Sequence, residues 1–495
     1  MMIEEIGLRI PQEVYTFFTT PGGHSLILRG NAGAGKTTFA LQIIEDLSTI
    51  EKTYYFPTRI SDSSLFAQFP WLKEKMDQLR LPPARTNGHR SNGNGLEVEL
   101  HRDGLGTLKG IAPARSMSSK GAMQISIGKD LAEIELLYEV IEDRLPDRTL
   151  LVIDSLDALA ERNGLTCAKL LNSMQKDLIE GYGSNVLYVL ESPEPMLDYL
   201  GDGVVKVALG EHQGRRVREI EILKLRGTEI QQPKYLCTLK GGKLRSFGYW
   251  WEKNQPPSRP WSAIPDQEDR LSTGIRDLDH LLQGGLEKGS IVLVELGTGV
   301  PISVAGMLEA SLVANFVMQG RGVVWVPVRK ANAENARNRL TPLVPKEQFE
   351  RLVRIPELAT NMGSGWGQCV MPIEGSHAGS DLKWQNVSYA LQSAAQPYLS
   401  LMGFDSLESI YGSGVMEQLV DHLAAIRRNH GVFVGMVSPS THSTQRLADL
   451  ATVSLRIERI GGTVIIYGEE PFTECNAMAL KEQDVGGNIC LTPIV

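Results

Sequence analysis

The sequence predicts an α/β protein of two tandem domains, each with a mostly parallel sheet flanked by helices and an antiparallel hairpin at one edge. Three observations favour this fold class. Apolar, strand-like runs alternate with helical segments. A glycine-rich phosphate-binding motif joins one such run to a helix near the N-terminus. The motif order of the first half returns in the second. We assign residues 1–245 to an active first domain, 246–270 to a linker and 271–495 to a degenerate second domain.

The composition is that of an ordinary globular protein, with 42% hydrophobic and 22% charged residues and a net charge of −8. This acidic balance argues against a broad basic surface for nucleic acid, so we do not expect DNA as a partner. The five cysteines lack zinc-ligand spacing. No apolar run approaches the ~18 residues of a membrane span. We therefore expect a cytoplasmic protein that contacts no membrane.

The phosphate-binding motif is the feature around which the first domain is organised. Its sequence, Gly-Asn-Ala-Gly-Ala-Gly-Lys-Thr-Thr, fills every fixed position of G-x-x-x-x-G-K-[ST], between an apolar strand at 24–29 and a helix at 38–47. Glycines let the backbone curl so that its N–H groups point at phosphate oxygens. We predict that Lys36 reaches the β- and γ-phosphates of ATP and that the Thr37 hydroxyl binds Mg²⁺. The predicted nucleotide-binding residues are Gly30, Asn31, Ala32, Gly33, Ala34, Gly35, Lys36, Thr37 and Thr38.

Two further strands end next to acidic residues that would complete this site. The apolar run 149–154 ends in Asp154, which in a phosphate-loop fold holds the Mg²⁺ water shell. Asp157, three residues later, is interpreted as a helix cap. The run 185–190 is followed by Glu191, which either senses the γ-phosphate or is only a polar strand end.

Two other regions of the first domain bear on possible partners. Residues 82–120 are polar, glycine-rich and aperiodic, which predicts a disordered insertion. The runs 203–210 and 214–228 predict an antiparallel hairpin at the sheet edge. The arginines at the start of its second strand are Arg215, Arg216 and Arg218. They form either a basic contact for an acidic partner or a solvated face.

The second half repeats the first in weakened form. Residues 291–303 correspond to the first strand and loop, 323–329 to the strand ending at 59, 404–408 to 153–157, and 436–439 to 190–193. In this copy Pro301, Ile302 and Ser303 replace the Gly-Lys-Thr of the phosphate loop, so the lysine is lost and proline removes a backbone donor. We expect no ATP binding there, and we expect Asp405 to be structural rather than a metal ligand.

These motifs resemble the KaiC branch of the RecA-like ATPases. Residues 271–290 are similar to the segment that leads into KaiC-type domains, and 217–228 is similar to the end of one. Within that branch, residues 10–14, 57–59 and 69–72 resemble the archaeal GvpD group, which is linked to control of gas-vesicle genes. The resemblance implies RecA/KaiC-like domains in both halves.

The resemblance also implies a homo-oligomer, such as a hexamer, with ATP and Mg²⁺ at its subunit interfaces. Lys224 and Arg226 would then reach the γ-phosphate of a neighbouring subunit; otherwise they are exposed residues of a hairpin. KaiC-type domains carry paired catalytic glutamates where this sequence has Thr58 and Arg59. Neither side chain is a useful general base. Hydrolysis is therefore expected to be weak or absent unless Glu191 substitutes.

The leading hypothesis is a nucleotide-dependent regulator of gas vesicle formation. Its first domain binds and slowly hydrolyses ATP through Lys36, Glu191, Lys224 and Arg226, and its second domain serves assembly or binds a protein partner, such as a transcriptional regulator. Two alternatives stay open. A recombinase-like ATPase would bind DNA, which the acidic composition argues against. A KaiC-like autokinase would need ATP in the second domain, which the altered loop there argues against.

Overall fold

The computed structural model describes residues 9–59, 62–74, 147–192, 195–249, 260–330, 332–359, 367–480 and 489–495, with isolated positions between 134 and 145. The chain divides into two compact units, Met1–Gly248 with Val495, and Tyr249–Ile494. The predicted insertion at 82–120, and residues 250–259 of the predicted linker, lie outside the described residues.

The first unit is built on an eight-stranded sheet. Its strands are β1 (Ser25–Arg29), β2 (Lys52–Pro57), β3 (Thr149–Asp154), β4 (Asn185–Leu190), β5 (Gly203–His212), β6 (Arg215–Leu225), β7 (Lys234–Thr238) and β8 (Arg245–Phe247). Their order across the sheet is β2-β3-β4-β1-β5-β6-β7-β8. The strands from β2 to β5 are parallel, and the last three pairs are antiparallel. Strand β1, which leads into the phosphate loop, therefore lies between β4 and β5.

The central strands of this sheet are buried on both faces. Strands β1, β3 and β4 are buried at every residue. Side chains alternate between faces, so Leu26 and Leu28 pack into one core layer and Ile27 into the other. Continuous apolar runs suit a parallel sheet that is covered by helices on both sides. The α-helices described in this unit include Gln12–Thr19, Lys36–Leu47, Asp62–Gln68, Pro70–Glu74, Leu156–Arg162 and Cys167–Met174, and a π-helix spans Gln175–Gly181.

The second unit is built on a ten-stranded sheet, preceded by a ribbon of β9 (Arg270–Leu271) and β10 (Leu286–Glu287). Its strands are β11 (Ile291–Leu296), β12 (Arg321–Val326), β13 (Val353–Leu358), β14 (Val370–Ile373), β15 (Ala395–Gly403), β16 (Val432–Val437), β17 (Val453–Ile460), β18 (Thr463–Glu470), β19 (Asn476–Leu480) and β20 (Ile489–Pro493). Their order is β14-β13-β12-β15-β16-β11-β17-β18-β19-β20. Read from β12 onward, this order repeats that of the first sheet strand for strand.

The helices of the second unit cover both faces of its sheet, as in the first unit. They include Arg276–Leu281, Ile302–Met318, Ala333–Leu340, Lys346–Leu352, Ala378–Asp381, Trp384–Ala390, Phe404–Tyr411, Val415–Gln418, Val420–Arg428 and Thr444–Leu450. The predicted α/β class, with large, mostly parallel sheets and antiparallel edge strands, is confirmed. Among the described helices, none is both long and apolar enough to cross a membrane.

Candidate nucleotide-binding site

The loop after β1 has the backbone curl that its glycines predict. Gly30, Gly33 and Gly35 have φ angles of 155°, 75° and 102°, which residues other than glycine rarely adopt. At Gly30 a Cβ atom would also lie 2.0 Å from the Val207 carbonyl oxygen of β5. The helix Lys36–Leu47 begins directly after Gly35. Asn31, Ala32 and Gly33 are exposed, whereas Ala34 and Thr38 are buried.

Lys36 lies folded against this loop. Its side chain is 5% exposed, and its Nζ donates to the carbonyl oxygens of Gly30 at 2.9 Å and Asn31 at 3.2 Å. The same ammonium forms an ion pair with Glu191 Oε2 at 2.9 Å. The structure therefore brings together two of the predicted site residues, Lys36 and Glu191, from the ends of neighbouring strands β1 and β4.

Thr37 and Asp154 also meet, as their predicted shared role requires. The Thr37 hydroxyl donates to Asp154 Oδ2 at 2.7 Å, and the Tyr55 hydroxyl donates to the same oxygen at 2.9 Å. Burial raises the pKa of Asp154, and the two hydrogen bonds act against that rise. A hydroxyl beside a carboxylate is a donor set that suits Mg²⁺. Sequence reasoning missed Tyr55, whose contact with Asp154 spans 99 residues of chain.

The two positions that hold glutamates in KaiC-type domains have different roles here. Thr58 is buried, and its hydroxyl donates to the Ser155 carbonyl at 3.0 Å and accepts from the Ser155 N–H at 2.7 Å. Arg59 is exposed, and its Nη1 lies 3.6 Å from Glu191 Oε1. One position thus joins the ends of β2 and β3, and the other carries a cation. Neither supplies a base that could activate water.

Asp157 positions Glu191. Its Oδ2 accepts a hydrogen bond of 2.8 Å from the Glu191 backbone N–H. Our interpretation of Asp157 as a helix cap is therefore wrong, because Ser155 holds the N-cap position of the helix Leu156–Arg162 and the Asp157 carboxylate binds the segment after β4. An acid three residues after Asp154 was the available signal, although its target could not be read from spacing.

The hairpin arginines form neither the basic contact nor the solvated face that the sequence predicts as alternatives. Arg215 and Arg218 are buried, and Arg216 is exposed. Arg218 Nη1 donates to the Gly33 carbonyl at 3.1 Å and to the Ala34 carbonyl. Desolvation lowers the pKa of Arg218. Its guanidinium thus holds the phosphate loop from the side of β6, a contact that sequence reasoning missed.

Lys224 and Arg226 contact the segment that precedes β5 rather than the phosphate loop. Lys224 Nζ donates to the Gly201 carbonyl at 2.5 Å, and Arg226 pairs with Asp202 at 3.1 Å. Asp202 in turn accepts from the Ser25 N–H, at the start of β1 rather than at its end. The structure therefore does not bring Lys224 or Arg226 to the phosphate loop of their own chain. Their action on a neighbouring subunit stays a prediction.

In the second unit, the edge of the sheet that corresponds to the phosphate-loop edge of the first unit carries acidic groups. Arg456 of β17 contacts three carboxylates, Glu295 at 3.3 Å, Glu458 at 2.8 Å and Glu469 at 3.8 Å. The helix Ile302–Met318 follows Pro301 there, with no lysine at its start. This surplus of negative charge disfavours a bound phosphate.

Asp405 of the second unit has a structural contact. Its Oδ2 accepts from the Arg329 backbone N–H at 2.7 Å, which fixes the turn after β12. Within the part of the chain that the structure describes, no group of three or more His, Cys, Asp or Glu side chains is arranged to hold a metal ion.

Comparison with known proteins agrees with this geometry. The family model of the GvpD gas vesicle protein P-loop domain matches residues 14–223, and that of GvpD basic region 2 matches residues 260–363. Together the two models cover more than half of the chain. The chain belongs to the GvpD family.

Relatives extend the family match over nearly the whole chain. Protein GvpD2 of Halobacterium salinarum is 23% identical over 98% of this chain and 96% of its own length. Protein GvpD1 of the same organism is 21% identical over 98% and 96%. The circadian clock oscillator protein KaiC of Parathermosynechococcus lividus is 23% identical over 67% of this chain and 56% of its own. This GvpD-type P-loop protein is therefore also related to KaiC.

Proposed function

We propose that this protein is a regulatory ATPase of the GvpD type that binds Mg²⁺-ATP at the first unit, hydrolyses it slowly and acts in the control of gas vesicle formation. The observation that carries the proposal is the joint placement of Lys36, Thr37 and Asp154 around a correctly curled glycine loop. This set matches the parts that a phosphate-loop ATPase uses to bind a triphosphate.

Each part of the site has a defined task in this proposal. The loop N–H groups and Lys36 bind the phosphates, and the helix that begins after Gly35 directs its positive end toward them. Thr37 and Asp154 would hold Mg²⁺, which neutralises phosphate charge when it is bound. Tyr55 orients the Asp154 carboxylate.

Slow turnover is expected from the residues that lie beside this site. Thr58 is committed to Ser155, and Arg59 is a cation, so both positions lack a proton acceptor for the attacking water. Glu191 is the nearby carboxylate that could accept a proton, but it is paired with two cations. ATP would therefore act mainly as a bound signal, with hydrolysis as a slow reset.

Oligomerisation would complete the site. Lys224 and Arg226 contact the segment before β5 and not their own loop. In this proposal they act on the nucleotide of a neighbouring subunit. In this proposal the second unit, without a phosphate loop of its own, serves assembly or binds a protein partner such as a transcriptional regulator. The domain bounds given above are part of the same proposal.

ATP turnover measured alongside size-exclusion chromatography tests this function, with the native chain compared with Lys36→Ala and Arg226→Ala. We expect an oligomer with slow turnover, and we expect each of the two substitutions to abolish that turnover. Of the two, only Lys36→Ala should also abolish ATP binding. Fast turnover, or binding that survives Lys36→Ala, would contradict the proposal. Turnover stimulated by DNA in a salt-sensitive manner would favour the recombinase alternative, and labelled phosphate retained on the protein would favour the autokinase.

A further inference from the structure

We propose that Arg59 recognises the terminal phosphate of a nucleoside triphosphate, and that the Glu191 carboxylate occupies that phosphate's place until it binds. This inference rests on the proposed function, since it requires nucleotide at the Lys36 loop. One carboxylate bridging two cations carries it. Glu191 Oε2 is 2.9 Å from Lys36 Nζ, and Glu191 Oε1 is 3.6 Å from Arg59 Nη1.

The place of this carboxylate corresponds to that of the γ-phosphate. The lysine of this motif contacts the β- and γ-phosphates, so the anion that is paired with Lys36 marks part of that volume. Arg59 Nη1 approaches the other oxygen of the same carboxylate. A diphosphate would fill the loop and reach Lys36. A triphosphate adds the phosphoryl group that extends toward Arg59.

The backbones on either side of this ion pair are held in place. Thr58, next to Arg59, is fixed by hydrogen bonds to both the N–H and the carbonyl of Ser155. The Glu191 N–H is fixed by Asp157. By contrast, the Arg59 side chain is 52% exposed and that of Glu191 is 33% exposed. Their charged ends therefore have room to exchange partners while their Cα positions stay constant.

Electrostatics favour the exchange. A γ-phosphoryl group carries more negative charge than a carboxylate, and an arginine fork matches its oxygens. The triphosphate would therefore displace Glu191 from both cations at once, whereas a diphosphate would displace it from Lys36 alone. Arg59 thereby gives the site a preference for the triphosphate, at a position where an active ATPase of the KaiC type carries a base.

Binding calorimetry with Mg²⁺ tests this inference on the full chain, using ADP and the non-hydrolysable β,γ-imido analogue of ATP. The variants are Arg59→Ala, Arg59→Lys and Glu191→Gln. The matched control is Lys52→Ala, which removes one exposed positive charge at the other end of the same strand, β2. Thermal unfolding of each variant confirms that it is folded.

We expect Arg59→Ala to weaken binding of the triphosphate analogue about tenfold and to leave ADP binding within about twofold, as the loss of one charge-assisted contact predicts. Arg59→Lys should lose less, and Lys52→Ala should change neither. Glu191→Gln should tighten triphosphate binding, because it removes the competing anion. The inference would be overturned, with the proposed function left intact, if Arg59→Ala weakened binding of both nucleotides equally or changed neither. Weaker binding of the triphosphate analogue in Glu191→Gln would overturn it as well. Absence of Lys36-dependent binding of either nucleotide would overturn the proposed function and this inference with it.

Discussion

The two units share a strand order but differ at the sheet edge where the first unit has its phosphate loop. In the first unit a curled glycine loop, Lys36 and Arg59 bring two cations to this edge, where both approach Glu191. In the second unit the loop after β11 leads through Pro301 into its helix, and three carboxylates surround Arg456. The comparison shows that apolar strands maintain the same fold in both units while the loop residues and the charges at this edge differ.

Structural contacts at this edge recur in both units even though the charges do not. The first glycine of each loop lies close to the neighbouring strand, Gly30 against Val207 and Gly297 against Ile457. In the first unit Asp157 holds the segment after β4. In the second, Glu408 accepts from the backbone N–H groups of His442 and Ser443, in the segment after β16. These contacts therefore support the fold of each edge, independently of nucleotide.

The largest expected effect comes from removing the lysine of the phosphate loop in the first unit. Lys36→Ala should weaken ATP binding at least ~100-fold, because the main cation of the loop is lost. Adding Pro301→Gly and Ile302→Lys to that variant should not restore binding, since the carboxylates around Arg456 remain. Calorimetry with Mg²⁺-ATP checks both. Restored binding in the triple variant would show that these two loop residues alone distinguish the units.

The next effect concerns the support of the loop. Arg218→Met removes the donors to the Gly33 and Ala34 carbonyls while keeping much of the aliphatic stem. We expect a loss of about 1–3 kcal/mol in the free energy of unfolding and roughly tenfold weaker ATP binding. Urea denaturation and calorimetry measure the two. The control Arg216→Ala removes an exposed arginine of the same strand, and it should change neither; a matching loss there would refute a specific role for Arg218.

The last effect concerns the helix that follows each loop, and it changes the pH dependence of stability rather than nucleotide binding. With Thr37 and Ser303 aligned, buried Ile43 of the first unit corresponds to Glu309 of the second. Glu309 accepts from Trp325 Nε1 at 3.1 Å and from the Val328 N–H at 3.0 Å, and pairs with Arg339 at 3.1 Å. Burial raises the pKa of Glu309 from 4.5 to about 7, against the hydrogen bonds that lower it.

Because its pKa is raised on folding, Glu309 makes the folded state bind more protons than the unfolded chain between these pKa values. Its contribution to stability is complete below pH ~4.5 and is lost as the pH rises through ~7, a change of roughly 3 kcal/mol. Glu309→Gln should remove this component from the pH dependence of unfolding. Denaturation curves at pH 5 and pH 8 for both proteins measure it, and identical pH dependence would contradict the assignment.

Sequence reasoning predicted the fold class and those residues of the site that are adjacent in the sequence. The loop residues, Lys36 and Thr37 are adjacent in sequence, so motif spacing was enough to place them. Asp154 was predicted because, in phosphate-loop proteins, an apolar strand downstream of the loop ends in an acid that takes part in Mg²⁺ binding. The repeat was visible because four segments of the first half have counterparts, in the same order, in the second half. The order of the strands across each sheet came from the structure.

The remaining contacts connect residues that no local pattern links. Arg218 reaches the Gly33 carbonyl across 185 residues of chain, and Tyr55 reaches Asp154 across 99. Whether a hairpin arginine points to solvent or into the loop depends on the packing of β5 and β6 against β1, which only the folded structure defines. The ion pair of Arg59 with Glu191 depends likewise on β2 and β4 lying on either side of β3.

The number of ATP molecules bound per chain tests the central claim, that this protein has one competent nucleotide site and that it lies in the first unit. Calorimetry of the full chain with Mg²⁺ and the non-hydrolysable ATP analogue gives this number. We predict one molecule per chain for the native protein and none for Lys36→Ala. Two molecules per native chain, or one that persists in Lys36→Ala, would contradict the account and place nucleotide in the second unit.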